Sequence, residues 1–319
     1  MKYSVVIPVY KNAGSIARLV DALEGMNRDL GGEMEAVFVV DGSPDQSFAL
    51  LRERIGRLDF PAQLLAHSRN FGSFPAIRTG LRAARGTYFG VMAADLQEPP
   101  ELLVAFFKAL AADECDVAIG TRDGRSDPRA SRAASSLFWS MYRKLVVPDM
   151  PPGGVDVFGC NMAFRDQLLA LEESRSSLIA LIFWLGFRRK LVGYERQVRQ
   201  EGKSAWTLSK KIDYMMDSIF AFTDYPIRLL MRIGAIGSAL SLALAFMVLV
   251  GRLVGAISVP GYAATMLAVL MLGALNLLGL GLVGTYAWRA YENSKQRPLA
   301  VVAMSIDNRM SVNDRTECN

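Results

Sequence analysis

The sequence predicts an α/β, Rossmann-like domain followed by an amphipathic helix and two helices long enough to cross a bilayer. Up to about residue 120, short β-rich runs alternate with helix-length segments, the pattern of right-handed βαβ units around a mostly parallel sheet. Hydrophobic residues make up 51% of the 319 residues and the mean hydropathy is +0.22, which is high for a fully soluble chain. The excess sits in two uncharged runs, Ile233 to Gly251 and Leu253 to Trp288, each able to supply the roughly 20 apolar residues that a crossing needs.

The strand-like runs are Tyr3 to Val9, Glu35 to Val40, Gln63 to His67, Tyr88 to Met92 and Asp116 to Ile119. Between them lie helical segments at Ser15 to Met26, Gln46 to Gly56, Ser73 to Ala84 and Pro99 to Ala111. Such a layer binds ligands outside the carboxyl ends of its strands. From Arg122 to about Pro152 arginine, serine and small residues dominate, with Leu137, Phe138, Met141, Tyr142 and Leu145 at helical spacing. Arginine-rich loops beside a nucleotide site meet phosphates. Residues from about Val155 to Val198 are mixed and apolar, without an assignable pattern.

Trp206, Leu208, Ile212, Met215, Met216, Ile219 and Phe220 then recur at helical spacing, opposite Lys210, Lys211, Asp213 and Asp217. A core-facing helix and an interfacial helix both satisfy this pattern, and its place before the first apolar run favours the interface. The expected division is an α/β domain over 1–204 and a juxtamembrane helix over 205–227. Two spans follow within 228–288, at about 231–252 and 263–287, and then a tail over 289–319, polar and disordered beyond Pro298.

Charge sets the orientation. Arg228, Arg232, Arg289, Lys295 and Arg297 flank the outer sides of the two runs, whereas the turn around Pro260-Gly261 has only Arg252. The positive-inside rule then places the α/β domain and both termini in the cytoplasm. Met1 to Tyr10 reads as a strand, not a signal peptide. Cys115, Cys160 and Cys318 lack metal spacing and cannot all pair, as befits a reducing compartment. A single histidine, His67, argues against histidine zinc sites and Ser-His-Asp hydrolysis. The net charge of +5 is gathered in no basic tract, so anionic lipid is a simpler partner than nucleic acid.

Chemistry is expected at Ala93-Ala94-Asp95-Leu96-Gln97-Glu98-Pro99-Pro100-Glu101, an acidic turn after the fourth strand-like run. Its oxygens can hold a metal at the carboxyl edge of a sheet. Val39-Val40-Asp41-Gly42-Ser43-Pro44-Asp45 likewise ends a strand in a carboxylate, placed to accept from a ribose or base. Alone, Asp-Gly-Ser is a common turn.

These two segments, with Val6-Ile7-Pro8-Val9-Tyr10 and Ser68-Arg69-Asn70-Phe71-Gly72, resemble in order and spacing the family 2 glycosyltransferases of the GT-A fold. Gly281-Leu282-Val283-Gly284-Thr285-Tyr286, Arg289-Ala290-Tyr291-Glu292-Asn293-Ser294-Lys295 and Arg297-Pro298 look like the carboxyl end of bacterial polyprenyl-phosphate glycosyltransferases. Those enzymes, the undecaprenyl-phosphate transferases among them, are relatives of dolichol-phosphate mannose synthase. The likeness covers the chain to about residue 300.

The resemblance implies a GT-A catalytic domain at the cytoplasmic face of a bacterial inner membrane. There one sugar would pass with inversion from a nucleotide sugar, UDP-linked in preference to GDP-linked, to polyprenyl phosphate. It also implies a divalent cation, Mg or Mn, and a homo-oligomer, a tetramer. By the same resemblance Pro8, Tyr10, Asp41 and Asp95 line the nucleotide, and Asp95 and Gln97 hold the cation. Arg122, Arg132 and Ser136 meet phosphate, with Asp95, Arg122 and Arg132 carrying catalysis. Arg199, Lys203 and Ser204 form a second basic loop for phosphate and lipid phosphate.

Each of these cations also reads as a solvated surface charge, and Arg125 and Arg129 lie close enough to Arg132 to take its place. Three departures stand out. Ala93 replaces the first acid of Asp-Ala-Asp-Leu-Gln, Val40 the first of two acids before Gly-Ser, and Gly159-Cys160-Asn161 stands where relatives carry Asp-Phe-Arg. The alternatives are another lipid or glycan acceptor, and a non-catalytic sugar-nucleotide-binding membrane subunit.

Overall fold

The computed structural model describes residues 1–122, 140, 142–144, 146–151, 155, 157–173, 177–197, 208–254 and 261–309. The chain divides into two units, Met1–Ile212 with Pro298–Asn319, and Asp213–Arg297. The first unit is built on β1 (Tyr3–Val9), β2 (Met34–Val40), β3 (Ala62–His67), β4 (Tyr88–Val91), β5 (Val117–Arg122), β6 (Phe158–Asn161), β7 (Arg189–Tyr194) and β8 (Val302–Asp307). These strands make one sheet in the order β7-β5-β6-β4-β1-β2-β3-β8. β6 and β8 run antiparallel to their neighbours, so the other six strands direct their carboxyl ends to one edge.

Helices α1 (Ile16–Asp29), α2 (Ser47–Ile55), α3 (Ser73–Ala83) and α4 (Pro100–Ala111) connect the strands. β2 is buried throughout, and β1 at every position except Pro8. A central strand covered on both faces has no solvent side, which is why these segments read as largely apolar runs, with Ser4 and Glu35 the polar exceptions. Leu103, Phe106 and Phe107 of α4 are fully buried in the core. On α3, a Cβ at Gly80 would lie 2.3 Å from Val6 Cγ1, so only glycine lets this helix approach β1 so closely. Two short helices follow β6, α5 (Met162–Ala170) and α6 (Leu178–Trp184), the first capped by Asn161 Oδ1 accepting from the Phe164 amide at 2.9 Å.

The end of the sheet away from the strand carboxyl termini contains a buried acid. Glu35 accepts from Ser4 Oγ at 2.7 Å, from Gln63 Nε2 at 3.3 Å and from the Arg85 amide. These bonds offset the cost of taking a carboxyl group out of water. Burial raises the pKa of both the Cys115 and Cys160 thiols, making them inert core residues rather than nucleophiles.

The expectation of a disordered tail beyond Pro298 is corrected over Val302–Asp307, which pairs with β3 as the edge strand β8. Asn308 fixes the end of this strand. It accepts from the Ala62 amide at 2.9 Å and donates to the Ile55 and Phe60 carbonyls at 3.1 and 3.0 Å. The side chain thus replaces three backbone partners, and Arg85 adds an ion pair with Asp307.

Between β7 and β8 the described residues from 208 on form three helices, α7 (Leu208–Phe222), α8 (Tyr225–Leu253) and α9 (Tyr262–Ser294). Within α9, Met271–Ser294 is long and apolar enough to cross a membrane. Ile236, Phe246 and Met247 of α8 and Leu277, Leu278 and Leu280 of α9 are exposed at 60% or more, large apolar side chains that this chain leaves uncovered. Arg289 of α9 pairs with Asp217 of α7 at 2.6 Å and lies over the Phe220 ring, so one of the flanking cations also ties two helices together.

Candidate active site

The carboxyl edge of the sheet gathers the segments singled out in the sequence. β1 turns toward β2 while β4 lies on its other side, so the strand order reverses between β1 and β4. Crevices at such switch points are where open α/β sheets bind ligands. The β1–β4 ladder ends with the Met92 amide donating to the Val6 carbonyl at 3.0 Å. Pro8 is next in line on β1 and has no N–H to continue it, so the two strands part at Pro8 on one side and Ala93 on the other.

The loops after β1 and β2 are latched together. The amides of Lys11, Asn12 and Ala13 donate to Ser43 Oγ at 2.8 Å, Ser47 Oγ at 3.2 Å and Asp45 Oδ2 at 3.0 Å. Tyr10 is half-buried at the start of this loop, its amide held by Asn12 Oδ1 at 3.0 Å. Burial of Asp45 opposes its ionisation, but hydrogen bonds from Ser43, Ser47 and the Ala13 amide hold its carboxyl below the usual range. Ser15 Oγ ties the same loop to the acidic turn by donating to the Ala94 carbonyl at 2.8 Å.

Asp41 is buried, and its oxygens have partners. Oδ1 accepts from His67 Nδ1 and from the Phe71 amide, each at 2.8 Å, and Oδ2 accepts from the Gly72 amide at 2.7 Å. A carboxylate only accepts, so His67 carries its proton on Nδ1, and Nε2 meets Thr79 Oγ1 at 3.0 Å. The next residue, Gly42, has φ +55°, and a Cβ there would lie 2.3 Å from the Arg69–Asn70 backbone. The Asp-Gly pair therefore presses the Ser68 to Gly72 loop against the end of β2.

The acidic turn follows β4. Asp95 and Gln97 are half-buried, and Leu96 between them has φ +55°, a left-handed conformation that costs a non-glycine residue about 1–2 kcal/mol. Gln97 is held twice from the segment after β7. The Gln197 amide donates to its carbonyl at 2.9 Å, and Arg196 Nη2 donates to Oε1. Pro99 and Pro100 then start α4, with Glu101 in its first turn complementing the positive helix end. Arg122 is the last residue of β5 and lies opposite Tyr194 of β7.

Of the residues expected from sequence, Pro8, Tyr10, Asp41, Asp95, Gln97 and Arg122 all lie at this one edge. Arg132, Ser136, Arg199, Lys203 and Ser204 fall outside the described residues. Sequence reasoning missed Arg196, Thr79 and the role of His67, whose partners are distant in the chain.

Among the described residues no group of three or more His, Cys, Asp or Glu side chains converges. One carboxylate and one carboxamide still fit a cation that completes its shell with water and substrate phosphates, as magnesium does. The fit thus requires oxygens from outside the turn, from water or a bound phosphate.

Comparison with known proteins agrees in kind. The family model "Glycosyl transferase family 2" matches residues 4–170. The chain is 32% identical over 295 residues to the putative glycosyltransferase CsbB of Bacillus subtilis (strain 168), covering 92% of this chain and 89% of that one. It is 29% identical over 318 residues to the uncharacterized glycosyltransferase YkcC of the same organism, covering 99% and 98%. It is 27% identical over 303 residues to the bactoprenol glucosyl transferase of Shigella phage SfV, covering 95% and 98%.

Proposed function

The chain belongs to glycosyl transferase family 2, and from that premise we propose that it moves one sugar, with inversion, from a nucleotide sugar to polyprenyl phosphate. The observation that carries the reading is that Asp95, Gln97, Arg122 and the loops after β1, β2 and β3 lie along one carboxyl edge of the sheet, whose strand order reverses between β1 and β4. Likeness over nearly the whole chain to a bactoprenol glucosyl transferase supports the lipid acceptor.

In this reading a phosphate oxygen of the acceptor attacks the anomeric carbon as the bond to the donor diphosphate breaks on the opposite face. A phosphate monoester, with a second pKa of roughly 6, presents an anionic oxygen at neutral pH, so no general base is required. That suits a chain whose one histidine is buried between Asp41 and Thr79. What the protein supplies is orientation and stabilisation of leaving-group charge. Arg122 sits at a strand end where it can meet the diphosphate, and Arg132 and Ser136 are assigned the same duty from sequence. Asp95 and Gln97 would hold the divalent cation, Mg or Mn, which would supply charge neutralisation of the diphosphate. Pro8, Tyr10 and Asp41 form the nucleotide wall, Asp41 chiefly by bracing the Ser68 to Gly72 loop. Arg199, Lys203 and Ser204 serve the acceptor phosphate. The donor is a UDP-sugar in preference to a GDP-sugar on family resemblance.

The helices supply the membrane side. β8 rejoins the sheet that the chain left before residue 213, and a chain that leaves and rejoins one soluble domain crosses a bilayer an even number of times. With Met271–Ser294 as one crossing, α8 supplies the other. The arginines and lysine at their outer ends support a cytoplasmic sheet, and the reading keeps α7 in the interface and the assembly a homo-oligomer.

A second reading, a sugar-nucleotide-binding subunit without turnover, is favoured only by Ala93 standing in place of an acid. The test presents a panel of labelled nucleotide sugars to purified full-length protein. Label should enter the organic phase only when polyprenyl phosphate is present. Transfer to a soluble sugar with none to lipid overturns the acceptor, and no turnover with any donor favours the second reading.

A further inference from the structure

The contact between Arg196 and Gln97 joins two segments that the proposed reaction uses for different purposes. Gln97 Oε1 is the oxygen expected to face the divalent cation, yet it accepts a hydrogen bond from the Arg196 guanidinium. The backbone repeats the connection, the Gln197 amide donating to the Gln97 carbonyl at 2.9 Å. Arg196 lies two residues beyond Tyr194, which is the register partner of Arg122 on the adjacent parallel strand. Two cations therefore leave neighbouring strands at the edge where the diphosphate would lie. Arg196 is exposed and borders an open groove of about 730 Å³ between the start of α4 and the end of β7, so its side chain has room to turn.

We propose that Arg196 guards the cation site, holding Gln97 Oε1 while the donor is absent and passing to the donor diphosphate when the cation takes that oxygen. This rests on the reading of Asp95 and Gln97 as the cation-binding pair. An oxygen that accepts from a guanidinium is poorly placed to ligate a divalent cation as well, because the two positive charges would sit a few ångströms apart and repel. Without nucleotide the arginine therefore competes with the metal. The donor reverses the balance, since its diphosphate is an anion that accepts from arginine better than a neutral carboxamide does. The exchange moves only hydrogen bonds. One N–H leaves Oε1 for a phosphate oxygen, and Oε1 turns to the cation. Its consequence is that metal and donor bind together, in a turn with only one carboxylate.

The experiment measures Mn2+ binding to purified full-length protein by electron paramagnetic resonance, with and without UDP or GDP. In the Arg196→Ala variant, Mn2+ without nucleotide should bind about fivefold tighter than in wild type, a coupling of ordinary size. Nucleoside diphosphate binding in the presence of Mn2+ should weaken roughly tenfold or more, the effect of losing one charge-assisted hydrogen bond. Arg196→Lys, which keeps the charge but not the planar fork, should hold Mn2+ binding near wild type and restore part of the nucleotide affinity. Arg196→Ala placed on Gln97→Ala should leave Mn2+ affinity unchanged, because no oxygen remains to compete for. A merely structural arginine would weaken both ligands. Mn2+ binding that is unchanged or weaker in Arg196→Ala, while still depending on Asp95, overturns this inference alone. Wild-type protein that binds no Mn2+ even with nucleotide overturns the cation reading and this inference with it.

Discussion

Asp41 Oδ1 and His67 Nδ1 meet at 2.8 Å with both side chains buried, joining the end of β2 to the end of β3 beneath the crevice. The same carboxylate receives the Phe71 and Gly72 amides, so Asp41 anchors the far end of the Ser68 to Gly72 loop, whose first amide donates to the Val301 carbonyl at 3.0 Å. Asp41→Asn keeps the shape but replaces one acceptor oxygen with a donor nitrogen that faces another donor. The variant should lose about 2 kcal/mol of stability, as for a hydrogen bond to a charged group, and bind nucleoside diphosphate more weakly. Thermal unfolding in detergent and a UDP titration check both. An unchanged melting temperature would show that the loop holds its own shape.

Arg122 is expected to act on charge that develops during the reaction. Arg122→Ala should fold and insert normally yet lose roughly a hundredfold in kcat, the usual effect of removing a contact to transition-state charge. Arg132→Ala should do the same if it meets the diphosphate, whereas a solvated arginine costs almost nothing. Turnover near wild type with equal melting temperatures removes either residue from the site.

The edge strand makes a prediction about folding. Asn308 satisfies the Ala62 amide and the Ile55 and Phe60 carbonyls, so Asn308→Ala should cost about 3 kcal/mol at about 1 kcal/mol per bond. Urea unfolding of the full chain should show a lower midpoint with the slope unchanged. An unshifted midpoint would mean that β8 contributes nothing to the sheet.

Although burial opposes its ionisation, hydrogen bonds from Ser43, Ser47 and the Ala13 amide hold the Asp45 carboxyl below its ordinary value in the folded chain. A depressed acid adds stability that is present above the unfolded value and is lost as pH falls through the folded one. Wild type should therefore exceed Asp45→Asn in unfolding midpoint above about pH 4 and converge with it in stronger acid. Parallel curves across that range would place the latch elsewhere.

How much of this was legible depends on where each residue finds its partners. β1, β2 and β3 are interior strands, and their largely apolar runs announce them despite Ser4, Glu35, Gln63 and His67. β6 has four residues, two of them Gly159 and Cys160, and β7 exposes Arg189, Lys190 and Leu191 at a sheet edge, so neither shows a period. β8 read as tail because its pairing with β3 is non-local and leaves no local signal. The acidic turn and Asp41 were visible as carboxylates at strand ends. Arg196 was not, because its meaning lies in Gln97, 99 residues away, and it became visible only once β7 was in register with β5.

Ala93 stands where the family resemblance leads one to expect an acid. Magnesium is commonly held by one or two carboxylates with substrate phosphates and water, so Asp95, Gln97 and the donor diphosphate can still compose a site. Turnover should require a divalent cation and stop in excess chelator, and metal affinity should be low until the donor is present. Asp95→Ala should abolish turnover because the turn has no acid to replace it. Glu98 is nearest in sequence, but it is buried and precedes Pro99, which restricts its backbone to extended conformations. Ala93→Asp should tighten nucleotide-free metal binding, since Ala93 is half-buried at the same edge and the new carboxylate adds charge there. Full activity in chelator, together with an active Asp95→Ala variant, would show that arginines alone carry the leaving-group charge.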